Sequence, residues 1–231
     1  MNYLQNNMKR IISFLLCISI FSCPVLYAAK SNVVFSGKNC GKKIALTFDD
    51  GPHRTKTPEI LELLAKYNIK ATFFIVGSNA KRYPDIIRDE ISAGHEIGNH
   101  TFYHSRLSKC SDEEIRSEIA KTEDFLMETV GYQPKIFRPP EGAYSRRVVE
   151  IAAGMDYDII LWTVDTRDWA KASTQSIISN VKSNICDGSI ILFHDFTVNG
   201  THTIDALREL IPYLLSCGYE FVTVSELICD I

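Results

Sequence analysis

Two adjacent carboxylates, Asp49 and Asp50, end an apolar run that begins at Lys43. The run has the length and composition of a buried strand, and Gly51-Pro52 directly after it indicates a turn. Two acids at the end of a buried strand are placed to bind a metal ion and to transfer a proton. Because Asp-Asp-Gly-Pro is also ordinary turn chemistry, the pair indicates a catalytic site only if partners follow in the chain.

A second candidate is the segment His100-Thr101-Phe102-Tyr103-His104, which supplies two imidazoles four residues apart. On a helical turn, this spacing puts both rings on one face, within reach of a single ion. One carboxylate from Asp49 or Asp50 would complete a set of two histidines and one acid, with coordination positions left for water and substrate. Such an open set is typical of catalytic metal sites. Histidines at this spacing also occur as surface or core residues, and that alternative stays open.

A third histidine, His194, ends the apolar segment 190–193. It could protonate a leaving group if a neighbouring acid raised its pKa, or it could be a third metal ligand or a packed residue. Asp168 is a candidate for that acid, and Trp169 could form the wall of an apolar slot.

The loop Arg138-Pro139-Pro140-Glu141-Gly142 combines a cation with a stiff backbone. The two prolines fix the backbone torsions, so the N–H of Glu141 could be held towards a developing oxyanion. The loop therefore adds a candidate site for stabilising negative charge.

The elements that must position these groups alternate between strands and helices from Lys43 onward. The apolar patterns predict strands over 43–48, 71–76, 95–98, 135–138, 158–164, 189–193 and 219–224. Helical patterns between them begin at Pro58, Pro84, Ser111, Ser145 and Thr203. Near-continuous apolar strands alternating with helices predict a parallel sheet covered by helices.

The candidate groups follow the carboxyl ends of the predicted strands. In chain order they are Asp49 and Asp50, then His100 and His104, then Arg138, then Asp165 and Asp168, then His194 and Asp195. Parallel α/β folds place function at this end of the sheet. An eight-fold barrel usually needs about 250 residues. We therefore expect an α/β fold in the form of a distorted barrel of seven or eight mostly parallel strands, with an open doubly wound sheet as the alternative.

The N-terminus has the pattern of an export signal. Residues 1–29 run from Lys9 and Arg10 through an apolar stretch to Ala28 and Ala29, which predicts a secretory signal peptide. An uncleaved anchor and a lipid on Cys23 are the alternatives. We expect a short N-terminal segment over 30–41, one catalytic domain over 42–231, and a secreted or extracytoplasmic protein that contacts the membrane only through its leader.

Charge and cysteine content exclude several classes of protein. Without residues 1–29 the chain has 23 basic and 28 acidic residues, a formal charge of −5, so we expect no nucleic-acid partner. Five cysteines remain, and their odd number and wide spacing do not fit a disulfide framework. We expect most of them to be small buried residues, and Cys217 and Cys229 could form a pair.

Five motifs in order resemble the polysaccharide deacetylases of carbohydrate esterase family four. They are Thr47-Phe48-Asp49-Asp50-Gly51, His100-Thr101-Phe102-Tyr103-His104, Arg138-Pro139-Pro140-Glu141-Gly142, Asp165-Thr166-Arg167-Asp168-Trp169 and Leu192-Phe193-His194. The resemblance covers residues 42–228, and the family fold is a distorted barrel of seven or eight parallel strands. It therefore implies the same architecture as the alternation of strands and helices.

The resemblance also implies catalytic roles. By analogy with the family, Asp49 is the catalytic base, and Asp50, His100 and His104 hold a divalent metal, usually zinc (Zn2+). His194 is then the general acid that protonates the leaving amine.

Supporting roles follow from the same resemblance. Arg138 would orient the base and Asp168 would tune His194, while Trp169 and Leu192 would line the acetyl pocket. Many members have tyrosine where this chain has Glu141. Because only the backbone N–H is needed at that position, catalysis should survive, and the added carboxylate at the rim would affect substrate choice.

The implied function is a metal-dependent hydrolase that removes N-acetyl groups from a polysaccharide. Peptidoglycan is the substrate that an exported bacterial protein meets first, and chitooligosaccharide and acetylxylan are the alternatives within this chemistry. Two other classes stay open: a catalytically idle glycan-binding protein, and a cyclic-amide hydrolase of small metabolites, which the export signal disfavours. We expect the protein to be a monomer.

Overall fold

The computed structural model of the chain describes residues 33–38, 40–196 and 202–229. The predicted leader, 1–29, and the alternative lipid site at Cys23 lie outside these residues. Strands are β1 (Val33–Val34), β2 (Lys43–Asp49), β3 (Thr72–Ile75), β4 (Glu96–Asn99), β5 (Ile136–Phe137), β6 (Asp158–Ile160), β7 (Val164–Asp165), β8 (Ile190–His194) and β9 (Glu220–Phe221). Helices are α1 (Lys56–Lys66), α2 (Gly77–Arg82), α3 (Pro84–Ser92), α4 (Asp112–Val130), α5 (Arg146–Ala153), α6 (Thr174–Asn184), α7 (Thr203–Ser216) and α8 (Val224–Ile228).

The strands form one parallel sheet that curves into an incomplete barrel. The strand order is β1-β6-β5-β4-β3-β2-β8-β7, with β9 beside β2, and every strand pair is parallel. Residues 158–165 enter the sheet twice, because β6 pairs with β5 and β7 pairs with β8. This single segment connects two sides of the sheet, and the predicted distorted α/β barrel is confirmed.

Alternation along β2 separates the core from the site. Ile44, Leu46 and Phe48 belong to the large apolar cluster between the sheet and helices α1, α6 and α7. Ala45 faces the opposite side, where it packs with residues of α8 in a smaller cluster. Since successive side chains alternate, Asp49 lies on the same face as Ala45, towards the barrel interior.

The helix boundaries mostly follow the signals in the sequence. Ser111 caps α4 with a capping box in which Glu114 takes part, and Gly131 ends this helix in the left-handed conformation. Ser145 caps α5 through its side chain. The sequence pattern did not predict α2, α6 or α8, and Val224, expected at the end of a strand, begins α8 instead.

The predicted strand over 158–164 is wrong in one respect, because it is interrupted. Residues 161–163 separate β6 from β7, although Leu161 and Thr163 still donate backbone hydrogen bonds to Val34 and Ile190. The apolar run continues through the break, so the pattern alone does not show it. This interruption and the added β1 bring the described sheet to nine segments.

The cysteines differ from the expectation. All five that the structure describes are free thiols, including Cys217 and Cys229, and only Cys40 is buried. The interpretation of most cysteines as buried residues is therefore wrong. Within the described residues, the helices are all too short or too polar to span a bilayer.

Candidate active site

The centre of the site lies at the carboxyl ends of β2 and β8. These strands are neighbours, and their register pairs Asp49 with His194. Paired residues on adjacent parallel strands project from the same face of the sheet. The proposed base and the proposed acid are therefore held side by side by backbone hydrogen bonds, on the interior face.

Asp50, His100 and His104 converge on one point. The Nε2 atoms of His100 and His104 lie 3.5 and 3.3 Å from Asp50 Oδ1, and one ligand atom from each residue falls within 4.8 Å of the other two. Asp50 Oδ1 is buried and has no hydrogen-bond partner. Because a buried carboxylate oxygen without a partner is costly, this atom fits a site that binds a cation. The three residues therefore suit a divalent metal.

The electrostatics of this cluster favour the protonation states that metal ligands require. Burial raises the pKa of Asp50, but the neighbouring imidazoles of His100, His194 and His104 together outweigh burial and lower it. Burial and the nearby His100 lower the pKa of His104, against the opposing effect of nearby carboxylates. An ionised Asp50 and a neutral His104 are the forms that bind metal.

The two histidines are not on a helical turn, and that part of the prediction is wrong. Thr101 and His104 have φ values of 68° and 56°, in the left-handed region. The loop is held from outside, because Glu118 on α4 accepts the backbone N–H groups of Phe102 and Tyr103 at 3.1 and 2.9 Å. The two histidines therefore lie close together because hydrogen bonds to Glu118 hold the loop between them, and not because they share one face of a helix.

His100 has a defined tautomer. Its Nδ1 lies 2.7 Å from the backbone carbonyl oxygen of Arg138. A carbonyl oxygen only accepts, so Nδ1 carries the hydrogen and Nε2 directs its lone pair towards Asp50. His100 is thus oriented for metal binding by the backbone of Arg138, the residue directly after β5.

Arg138 is completely buried and holds Asp49 in place. Its Nη1 donates to Asp49 Oδ1 at 2.7 Å and to Thr47 Oγ1 at 2.9 Å. Its Nε and Nη2 donate to the carbonyl oxygens of Ile160 and Leu161, both at 3.1 Å. Its guanidinium also stacks 4.0 Å from the ring centroid of Phe74. All three guanidinium nitrogens of Arg138 donate hydrogen bonds, so its position is fixed, and it holds the Asp49 carboxylate in one orientation.

His194 is paired with Asp168. His194 Nδ1 lies 2.7 Å from Asp168 Oδ1, and the His194 backbone N–H donates to Asp168 Oδ2 at 2.9 Å. Burial by itself would lower the pKa of His194, but the hydrogen bond and charge of Asp168, with smaller contributions from Asp49 and Asp50, raise this pKa to about 9. The imidazole is therefore protonated at neutral pH, and its Nε2–H is free of the Asp168 contact.

Replacing Asp168 by asparagine should change the pH dependence of catalysis. A general acid acts only while protonated, so activity should fall as the pH rises through the pKa of His194. In the Asp168→Asn variant that pKa should drop by roughly 1–3 units, because the charge that stabilises the imidazolium is lost. The alkaline limb of a kcat/KM profile should then move to lower pH by the same amount.

Thr203→Val is the graded control for this prediction. Thr203 Oγ1 donates to Asp168 Oδ2 at 2.8 Å, so its loss removes one hydrogen bond and leaves the carboxylate charge in place. Its alkaline limb should move much less than that of Asp168→Asn. An unchanged alkaline limb in Asp168→Asn would mean that His194 is not the titrating acid.

These groups open into a cavity of about 480 Å³, within the range of small-molecule sites. Five of its lining residues belong to the groups described above: Asp49, Asp50, His100, His104 and His194. The remaining wall is formed by Glu141, Gly142, Trp162, Asp165, Trp169 and Leu192. All residues to which sequence analysis assigns a role therefore line the cavity except Arg138 and Asp168, which lie behind Asp49 and His194.

The cavity wall includes residues whose role sequence analysis does not predict. Trp162 lies in the break between β6 and β7, and Gly142 packs so closely against it that an added Cβ would lie 2.5 Å from the indole ring. Gly142 also has a φ of 63°, which favours glycine. Sequence analysis places Asp165 at the rim because it follows a predicted strand. It does not place Trp162 there, because the interruption of the strand at 161–163 is not visible in the apolar pattern.

Asp195 follows His194 but does not reach the cavity. It is buried against Gly51, where an added Cβ would lie 2.2 Å from Asp195 Oδ2, and it accepts a hydrogen bond from Thr57 on α1. Burial raises the pKa of Asp195 to about 7. Asp195 therefore packs beneath the turn after β2, and Gly51 is required for this close approach.

Comparison with known proteins identifies relatives of this chain. The sequence profile of the polysaccharide deacetylase family matches residues 36–160. A peptidoglycan-N-acetylglucosamine deacetylase of Bacillus cereus is 41% identical over 207 residues, which cover 88% of this chain and 74% of that protein.

Solved structures extend this similarity to the fold. A crystal structure of a peptidoglycan N-acetylglucosamine deacetylase is 41% identical, with a TM-score of 0.81, and the match covers 85% of this chain and 92% of the other. A family 4 acetyl xylan esterase from Clostridium thermocellum, solved with a cobalt ion, is 38% identical with a TM-score of 0.74, and the match covers 80% and 90%.

Proposed function

Because the chain belongs to the polysaccharide deacetylase family, we propose that it is a metal-dependent hydrolase that removes N-acetyl groups from peptidoglycan. The observation that carries this proposal is the shared cavity, which brings a fixed carboxylate, a protonated imidazole and an Asp-His-His cluster to one wall. A catalytically idle protein of this fold would not need all three.

We assign the metal site to Asp50, His100 and His104, with Zn2+ as the native ion. When bound, a divalent ion at such a site lowers the pKa of a water molecule and polarises a carbonyl group. Three protein ligands leave room for water and substrate, as a catalytic site requires. The charge and tautomer of the three side chains support this assignment.

The reaction then needs a base that accepts a proton from water and an acid that protonates the leaving amine. Asp49 accepts a proton from the water that attacks the acetyl carbon, while Arg138 keeps the carboxylate oriented. The backbone N–H of Glu141 donates to the oxyanion that develops on the acetyl oxygen. His194 transfers the proton on Nε2 to the sugar nitrogen as the C–N bond breaks, and Asp168 stabilises the charged imidazole. Acetate and a free amino sugar leave.

Apolar walls explain the choice of an acetyl group. Leu192 lies two residues before His194 on the same face of β8, and Trp169 lies beside Asp168. We assign the acetyl methyl group to the surface that these two side chains form. Contact with these two side chains favours binding of the acetyl group, because it removes the apolar surface of the methyl group from water.

The proposed location follows from the substrate. Peptidoglycan lies outside the cytoplasmic membrane, so the chain must be exported, and residues 1–29 are the proposed signal. Residues 42–231 are the proposed catalytic domain. Deacetylation would add amino groups, and hence positive charge, to the wall.

Acetate release tests the proposal. Purified protein loaded with Zn2+ should release acetate from intact peptidoglycan, and the fragments should lose 42 Da per acetyl group by mass spectrometry, since acetyl is replaced by hydrogen. Chitooligosaccharide and acetylxylan should be assayed in parallel. Absence of acetate from all three substrates, with metal bound, would overturn the function and favour an idle glycan-binding protein.

A further inference from the structure

The cavity rim carries an ion pair that the proposed chemistry does not use. Arg106 Nε lies 3.1 Å from Glu141 Oε1, and the two side chains are 65% and 52% exposed. Arg106 follows the histidine loop, and Glu141 lies in the turn 140–142 after β5. The pair therefore joins the two loops that supply His104 and the proposed oxyanion donor.

Stability does not account for this position. Exposed ion pairs contribute little to folding because water and salt screen the charges. The partners are also unequal towards the substrate, since Glu141 lines the cavity and Arg106 does not. A sugar in the cavity would therefore meet the carboxylate, with the guanidinium behind it.

A second carboxylate in the cavity wall, that of Asp165, adds to the negative charge of Glu141. Asp165 lines the cavity, and its Oδ1 accepts hydrogen bonds from Trp169 Nε1 at 3.3 Å and from the Arg167 backbone N–H at 2.9 Å. Both donors are neutral groups, so neither of these hydrogen bonds pairs Asp165 with a cation. The wall contains neither lysine nor arginine among its described residues. By contrast, Asp49 is paired with Arg138, and Asp50 faces two imidazoles.

We propose that Glu141, restrained by Arg106 and assisted by Asp165, determines which acetylated sugar is accepted. The acidic wall disfavours a sugar that carries a carboxylate beside its acetamide, and it favours a neutral N-acetylglucosamine-type sugar. Peptidoglycan alternates N-acetylglucosamine with N-acetylmuramic acid, whose lactyl group has a free carboxylate wherever no peptide is attached. Like charges brought together in a partly enclosed site repel, which is a direct way to reject the wrong sugar. This inference rests on the proposed deacetylase function.

The test compares kcat/KM for three substrates of equal length. They are a neutral chitooligosaccharide, a peptide-free peptidoglycan oligosaccharide with free lactyl carboxylates, and the methyl ester of the latter. The enzyme should prefer the ester to the free acid, and the preference should shrink in 0.5 M NaCl. The ester controls for size, because it differs from the acid in charge and by one methyl group.

Glu141→Gln and Arg106→Gln are the matched variants. Glu141→Gln should reduce the ester-to-acid preference by about fivefold, mainly through a lower KM for the acid. Arg106→Gln should increase the preference, because it removes the cation that partly compensates Glu141. Any loss of catalysis common to both substrates cancels in the ratio, and circular dichroism checks that each variant is folded.

Three outcomes would overturn the inference. If kcat/KM were equal for the acid and the ester, or if the ester-to-acid ratio were unchanged in Glu141→Gln, Glu141 would have no role in substrate selection. A lower efficiency on the acid in Arg106→Gln together with the same loss in Glu141→Gln would mean that the pair recruits carboxylates. If no substrate releases acetate, the deacetylase function itself fails, and that result is distinct from an unchanged ratio.

Discussion

Replacing Asp49 by asparagine should lower kcat by roughly 10²–10⁴-fold while the protein still binds its metal. Asparagine keeps the shape of the side chain but cannot accept the proton of the attacking water. Asp50, His100 and His104 are untouched, so zinc content measured by plasma mass spectrometry should stay near one per chain. Steady-state acetate release from a chitooligosaccharide gives the kinetic readout.

The same substitution should also destabilise the fold. Asp49 is the carboxylate partner of Arg138, which is completely buried. Removing one member of a buried ion pair typically costs about 3–5 kcal/mol, because the other charge is left uncompensated. Denaturant unfolding should show this loss, and kinetics should be measured well below the unfolding temperature. Asp156→Asn, at an exposed position, is the matched control and should change neither quantity. A fully active Asp49→Asn enzyme would show that the base is another group.

The second large effect is expected for His104→Ala. His104 is one of the three proposed protein ligands, so its loss should weaken zinc binding by more than about 100-fold, since removal of groups that only support metal ligands already costs about 10–100-fold. Turnover should fall to background at micromolar zinc. Zinc affinity is measured by competition with a chromogenic chelator, and acetate release is followed over the same zinc concentrations.

The control for His104→Ala is His53→Ala. His53 interacts with the backbone before α1, and it does not line the cavity. Its loss should leave zinc affinity and turnover close to those of the unchanged enzyme. If His104→Ala bound zinc as tightly as the unchanged enzyme, the Asp-His-His assignment would be wrong, even if activity were low.

The sequence predicts the strands of the site well because their apolar runs are long and end in polar residues. Asp49 and His194 follow two such runs, and the parallel sheet brings them to one edge as expected. The distorted barrel follows from the alternation of strands and helices and from the chain length. A strand end is well predicted where a long apolar run stops directly before polar or turn-forming residues.

Other features depend on contacts between distant parts of the chain. The loop at 100–104 has left-handed residues because Glu118 and the start of α2 hold its backbone, and no local signal predicts those partners. The break at 161–163 lies in an apolar run, so Trp162 was assigned to a strand. The cysteines were misassigned because burial of a single small residue depends on packing that periodicity does not encode.

Arg138 links two distant parts of the sheet, in addition to orienting Asp49, the proposed base. Its guanidinium contacts β2 through Thr47 and Asp49, and it contacts the segment between β6 and β7 through the carbonyl groups of Ile160 and Leu161. That segment is where the chain passes from one side of the sheet to the other. We therefore expect Asp49, the proposed proton acceptor, to reach its final position only when β2 and the segment between β6 and β7 have docked. During refolding, recovery of turnover should coincide with the final docking of these strands and should lag behind the return of helical signal.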